Sequence, residues 1–189
     1  MREALRSLAF IGLVQMRTGQ GSYVAGSPPK FIDHLLAHGV LNTEKDLRDL
    51  TDARMALETE LAALCAERVT DEELQQLERV VKLMEKTLRV KGKQFLDADV
   101  EFHIAIATYS KSQVMAQLLK TIRSLLQEFI AKSAQMPGDR DLAYAGHLRI
   151  FEALKERDPR KARKAMRSHL QDFLRGLKCS PKFGQVSKV

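Results

Sequence analysis

Three histidines and one aspartate stand where their side chains could meet as ligands of one metal ion. Asp99 and His103 are four residues apart, a spacing that places both on one face of a helix. That face is otherwise apolar, and a carboxylate or imidazole directed into a core is costly unless it is paired. His147 and His169 also fall among apolar residues at helical spacing. This donor set suits a divalent ion such as zinc, nickel, manganese or iron, and we favour zinc.

The last two histidines are expected at the same height in a pair of antiparallel helices. Asp158 followed by Pro159 is typical of a helix start, with aspartate as the N-cap and proline in the first turn. His147 precedes Asp158 by 11 residues, and His169 follows it by 11. At about 1.5 Å per residue, both lie roughly 16 Å from the turn. The spacing therefore predicts that the two imidazoles lie level with each other.

Each of these side chains has a plainer interpretation. An inward histidine can be an ordinary core residue with a hydrogen-bond partner, and Asp99 and His103 can form a helix ion pair. His34 and His38 precede the long helical segments and are expected to be surface residues. Cys65 falls within an apolar helical pattern, which predicts a buried free thiol.

The composition favours a cytoplasmic protein without membrane contact. Of the 189 residues, 44% are hydrophobic and 29% charged, and no apolar run approaches the roughly 18 residues of a membrane-spanning helix. The first ten residues lack the apolar segment of a signal peptide. The net charge of +7 is concentrated at the ends, +3 over residues 1–30 and +8 over 155–189. Basic ends suit nucleic-acid contact, although for residues 155–189 we favour a solvated helix face.

Helical patterns dominate after residue 43 and predict an all-α antiparallel bundle with short connections. Thr70 and Glu73 form a capping box at the start of one helix, which Gly92 is expected to end. Helices are predicted over residues 47–68, 70–92, 93–109, 112–134, 139–157 and 158–178. The helical domain thus spans residues 44–178, and a flexible tail follows over 179–189.

The first 27 residues follow a different pattern. Residues 1–11 predict a short helix, and two short apolar runs flank Thr18-Gly19-Gln20-Gly21, which predicts a β-hairpin. Residues 28–43 are expected to form a linker. The helix and hairpin resemble the recognition helix and wing of a winged helix-turn-helix domain in GntR-family regulators. That resemblance implies DNA contacts by four residues: Arg2, Arg6, Gly19 and Gly21.

The chain after residue 43 resembles the FCD domain, the C-terminal domain of FadR-type GntR regulators. Four segments carry the resemblance, in matching order: RMALE at 54–58, DVEFH at 99–103, HLRIFEAL at 147–154 and ARKAMRSHL at 162–170. The resemblance implies a divalent metal ion held by an aspartate and three histidines, here Asp99, His103, His147 and His169. The resemblance further implies that a small organic acid completes the coordination, and that its binding alters the spacing of two DNA-binding domains in a homodimer.

The resemblance to the FCD domain implies that the effector is an acid. Arg54 would project toward the pocket that binds this acid. A guanidinium can grip a carboxylate through two hydrogen bonds, whereas the alternative for Arg54 is a helix ion pair with Glu58. The family usually has Asn-Pro after the third helix, where this chain has Ser112 and Gln113. Ser112 can cap the next helix as asparagine would, but the departure leaves the identity of the effector open.

The sequence thus predicts a ligand-responsive transcription regulator, or its effector-sensing part, and not an enzyme. One alternative is an interaction module that dimerises without binding DNA itself. Another is a metal-dependent hydrolase. The hydrolase has little support, because Glu101 is two residues from both Asp99 and His103 and should point away from them on a helix.

We predict that the 189-residue chain by itself binds DNA weakly and without sequence preference. The family's first two DNA-binding helices would precede Met1, and an isolated recognition helix of about ten residues is marginal in water. Binding by basic residues alone is sensitive to salt. A mobility-shift titration against the promoter beside its own gene is the measurement. Tight binding that resists competitor DNA would contradict the prediction.

Overall fold

The computed structural model describes residues 14–17, 19, 21–24, 44–90, 92–133 and 139–178. The chain divides into two compact units, residues 1–42 and 43–189. The first contains strands β1 (Val14–Arg17) and β2 (Gly21–Val24). The second contains helices α1 (Glu44–Arg68), α2 (Asp71–Thr87), α3 (Gln94–Tyr109), α4 (Gln113–Ser133), α5 (Asp139–Lys155) and α6 (Pro159–Lys178).

This order of elements confirms the predicted fold class, a helical bundle preceded by a β-hairpin. The predicted helix over residues 1–11, which carries Arg2 and Arg6, lies outside the described residues, as do the predicted linker and tail. Within the described ranges, no helix is long and apolar enough to cross a membrane.

The hairpin is antiparallel, with Val14 opposite Val24 and Arg17 opposite Gly21. Gly19 and Gly21 have φ angles of +75° and +98°, in the left-handed region where a side chain is disfavoured. The sequence had placed Gly21 in the loop. It is instead the first residue of β2, because the ladder extends to its pair with Arg17.

Helix α2 begins as predicted and ends earlier than predicted. The Thr70 hydroxyl accepts a hydrogen bond from the Glu73 amide, and the Glu73 carboxylate accepts one from the Thr70 amide, which confirms the capping box. The helix ends at Thr87 rather than at Gly92. The Leu88 amide bonds to Glu85 and the Val90 amide to Thr87, three residues back in each case. Hydrogen bonds to the third residue back, in place of the fourth, are typical of the last turn of a helix.

The main core lies between α1, α2, α3, α5 and α6. Its largest fully buried members include Phe95, Leu77, Met84, Phe102, Ile106, Ile150, Leu154, Met166 and Leu170. Helix α4 packs on α1 and α3 through a smaller cluster of Leu61, Ala107, Ala116 and Leu119. Two leucines within the apolar helical patterns are not fully buried. Leu96 on α3 is half-buried, and Leu118 on α4 is 47% exposed because it lies off the face of α4 that packs on α1 and α3.

Helices α5 and α6 form a tight antiparallel pair. The Asp158 carboxylate accepts hydrogen bonds from the amides of Arg160 (2.9 Å) and Lys161 (3.0 Å), which confirms it as the N-cap of α6. Gly146 on α5 lies against the imidazole of His169 on α6, and a Cβ on Gly146 would stand 2.3 Å from Nδ1 of that ring. The two helices therefore approach this closely only because residue 146 has no side chain.

We predict that Gly146→Ala destabilises the fold by up to about 2 kcal/mol. Alanine improves helix propensity by about 1 kcal/mol, but overpacking against His169 costs about 1–3 kcal/mol. Urea denaturation of chelator-treated protein measures the change without a contribution from bound metal.

The matched control places the same substitution in a His169→Ala background. There the imidazole is absent, so Gly146→Ala should become neutral or stabilising. If Gly146→Ala costs the same free energy in both backgrounds, the contact with His169 does not limit how closely the two helices approach.

Candidate metal centre

The structure brings together all four residues that the sequence singled out as metal ligands. Asp99 and His103 come from α3, His147 from α5 and His169 from α6, and all four are buried. Each offers one donor atom, and these atoms all lie within 4.8 Å of one another. The imidazoles of His147 and His169 lie level, with ring centroids 4.3 Å apart.

The distances between donor atoms fit a divalent ion. Donors about 2.1 Å from a central ion lie roughly 3.4 Å from one another in a tetrahedral site. Nε2 of His147 is 3.1 Å from Oδ1 of Asp99 and 3.2 Å from Nε2 of His103. The Phe102 ring stands edge-on to both imidazoles and gives the cluster an apolar wall. Three nitrogens and one carboxylate oxygen would suit zinc, nickel, manganese or iron.

A glutamate from α1 supports one of these ligands. Oε2 of Glu58 contacts Nδ1 of His103, on the side of the ring opposite Nε2. Glu58 is only 1% exposed. The sequence had considered this residue only as an ion-pair partner of Arg54, because no local spacing shows that α1 packs on α3.

Arg54 forms the helix ion pair that the sequence held as its alternative role. Its Nε donates a hydrogen bond to Oε1 of Glu58, one helical turn away, and both side chains are buried. The guanidinium also lies over the ring of Phe173, 5.1 Å from the centroid. Among the described residues, Nη1 of Arg54 has no hydrogen-bond partner.

Arg123 on α4 is a second buried arginine, and the sequence analysis missed it. Its Nη2 donates to Oδ2 of Asp99 at 2.8 Å, and its Nη1 lies 3.5 Å from Oε1 of Glu58. One signal for it was present in the sequence. Arg123 lies between Leu119 and Leu126 on the buried stripe of α4, where a charged residue needs partners.

Both carboxylates of this network are held in their ionised form. Burial by itself raises the pKa of a carboxyl group. For Glu58, the charges of Arg54 and Arg123 together with its contact with His103 outweigh that effect and hold the pKa well below its usual range. For Asp99, the hydrogen bond from His147 and the charge of Arg123 do the same.

Two of the imidazoles are held in their neutral form. Burial lowers the pKa of His103 to about 4, although Glu58 partly opposes the shift. Burial and the neighbouring histidines hold the pKa of His169 well below its usual range. Since a metal ion binds the neutral ring, these shifts favour coordination.

Two other residues considered from the sequence lie away from the cluster. Glu101 is exposed on α3, as expected from its spacing, so it offers no general base beside the four ligands. Cys65 is buried in the main core, and burial raises the pKa of its thiol to about 12. It is the buried free thiol that the sequence predicted.

Comparisons with known proteins agree with this architecture. The FCD domain model matches residues 49–172. The HTH-type transcriptional regulator LutR of Bacillus subtilis is 29% identical over 93% of this chain and 84% of its own length. The B. subtilis regulator YcbG is 33% identical over 90% of this chain and 70% of its own. A solved GntR structure from Streptococcus agalactiae is 32% identical, with a TM-score of 0.76 over 92% of this chain and 79% of that one.

The family match covers most of the helical unit and contains all four candidate metal ligands. The relatives are named as transcriptional regulators, which confirms the prediction of a regulator rather than an enzyme. This chain belongs to the FCD-domain family of GntR-type transcription regulators.

Proposed function

We propose that this regulator senses a small organic acid, held by a divalent metal ion in the helical domain, and that the acid changes operator binding by a homodimer. The observation that carries the proposal is the cluster of Asp99, His103, His147 and His169, whose donor atoms lie within 4.8 Å of one another. A metal with four protein ligands can still accept further donors from a small molecule.

The charge balance around the cluster supports an anionic effector. Arg54 and Arg123 supply two buried positive charges, and Glu58 and Asp99 supply two negative ones. A histidine binds a metal ion as the neutral ring, so the imidazole ligands add no charge. A divalent ion therefore leaves the buried site with an excess of about two positive charges, and uncompensated buried charge is costly. A carboxylate effector lowers that cost.

Arg54 is the residue proposed to bind the effector. Its Nη1 is buried and has no partner among the described residues, which is costly for a charged donor. A carboxylate oxygen would satisfy it. The ion pair with Glu58 through Nε holds the guanidinium in place and leaves this donor available.

The hairpin is proposed as the wing of the DNA-binding domain. Gly19 and Gly21 adopt positive φ angles there, and neither has a heavy atom near the position of a Cβ, so the backbone can approach a phosphate closely. Arg17 lies beside them with its guanidinium 5.3 Å from the centroid of the Tyr23 ring. Arg2 and Arg6 are proposed to contact the operator from the recognition helix.

We predict about one divalent ion per chain, and His147→Ala should sharply reduce the amount bound. The substitution removes one of four donors at the centre of the cluster. Elemental analysis of protein purified without chelator measures the metal content, and His34→Ala is a control that removes an imidazole but none of the four ligands. Protein that contains no metal and takes none up on reconstitution rules out the metal centre.

We predict that small hydroxy, keto or sugar acids raise the melting temperature of the metal-loaded protein. A ligand at 100 times its dissociation constant adds about 2.7 kcal/mol of stability. Arg54→Ala should reduce this gain, whereas Arg163→Ala should not, because Arg163 pairs with Glu60 at the partly exposed surface. If no acid in a wide panel shifts the melting temperature and an uncharged compound does, the proposal of an acidic effector is wrong.

A further inference from the structure

We propose that Glu58 is a positioning residue of the metal centre, which holds His103 in the tautomer protonated on Nδ1 and so leaves Nε2 free to bind the ion. The inference rests on the proposed metal site and assigns a role to a residue outside the four ligands. Arg54 and Arg123 support this role, because both contact Oε1 of Glu58 and leave Oε2 for His103.

The tautomer follows from the chemistry of the contact. Glu58 is buried between two guanidinium groups and is therefore ionised, so both of its oxygens can only accept hydrogen bonds. Its Oε2 contacts Nδ1 of His103, and an acceptor in contact with that nitrogen favours a ring proton there. A neutral imidazole has one proton, so Nε2 keeps its lone pair.

The contacts on the other side of the ring agree with this assignment. Nε2 of His103 lies 3.2 Å from Nε2 of His147, and two nitrogens at this distance form a hydrogen bond only if one donates and the other accepts. Nε2 of His147 also lies 3.1 Å from Oδ1 of Asp99. His147 is thus the donor in the metal-free protein, and His103 accepts through Nε2.

His147 has no comparable support. Nδ1 of His103 and Nδ1 of His147 are both buried without a hydrogen bond of regular geometry among the described residues, but only Nδ1 of His103 has a carboxylate oxygen in contact with it. Glu58 therefore acts on one particular ligand. Arg123 adds a second restraint, because it holds Oδ2 of Asp99 and leaves Oδ1 directed toward His147. Helices α1 and α4 thus orient ligands on α3, although neither supplies one of the four.

The tautomer can be measured in the wild-type, metal-free protein. Long-range ¹H–¹⁵N correlation spectra distinguish a protonated imidazole nitrogen from an unprotonated one. We expect His103 to be protonated on Nδ1, with no exchange between tautomers. A ring protonated on Nε2, or one that populates both tautomers, would overturn the inference, and this measurement depends on no substitution.

The effect on the ion can be measured with Glu58→Gln. A glutamine can either accept through oxygen or donate through nitrogen, so it no longer imposes one tautomer on His103. Loss of such an outer partner typically weakens metal binding 10–100-fold, and we expect a loss in that range from zinc competition titrations. Glu60→Gln makes the same chemical change two residues away on α1, at a surface pair with Arg163, and should leave the affinity within about twofold.

The outcomes separate this inference from the proposed function. Wild-type protein that binds none of zinc, nickel, manganese and iron overturns the metal site itself. Wild-type protein that binds zinc, together with a folded Glu58→Gln variant of equal affinity, overturns only the role of Glu58. If Glu58→Gln does not fold by circular dichroism, the tautomer of wild-type His103 decides the question.

Discussion

Two arginines, a glutamate and an aspartate are buried together at the centre of this bundle, and each must keep an opposite charge beside it. Removing one partner from a buried pair leaves an uncompensated charge, which typically costs about 3–5 kcal/mol. Glu58 on α1 and Asp99 on α3 both contact Arg123 on α4. The relative positions of three helices are therefore set by charge pairing as well as by apolar packing.

A second constraint is steric and acts on the opposite side of the cluster. Helices α5 and α6 meet where Gly146 leaves room for the His169 imidazole. The tight turn and the Asp158 cap give the two helices a fixed register, so His147 and His169 lie level. Charge pairing orients the ligands on α3, and close packing positions those on α5 and α6.

These two constraints have a common consequence for the proposed sensor. Without an ion, the two arginines and the two carboxylates of the cluster balance in charge, but Nη1 of Arg54 and Nδ1 of His147 have no hydrogen-bond partner among the described residues. An ion would add positive charge to a site that water cannot readily screen, and an acidic ligand would offset it. In the proposed function, sensing of an acid is coupled to the metal through electrostatics, and Arg54 contributes a buried positive charge to the same network.

What the sequence by itself determined was local. The capping box at Thr70, the cap at Asp158 and the periodic apolar residues predicted the helices, because these features depend on residues within one or two turns. His147 and His169 are equally far in sequence from the turn between their helices. This was sufficient to place them side by side, because each residue adds the same rise along the helix axis.

Only the tertiary structure decided which helix faces which. No spacing in the sequence indicated that Glu58 would contact His103, or that Arg123 would reach Asp99 across 24 residues of chain. The exposed position of Leu118 also depended on neighbouring elements. Contacts between helices arise from packing of whole surfaces, and that information is spread over the chain rather than contained in any single motif.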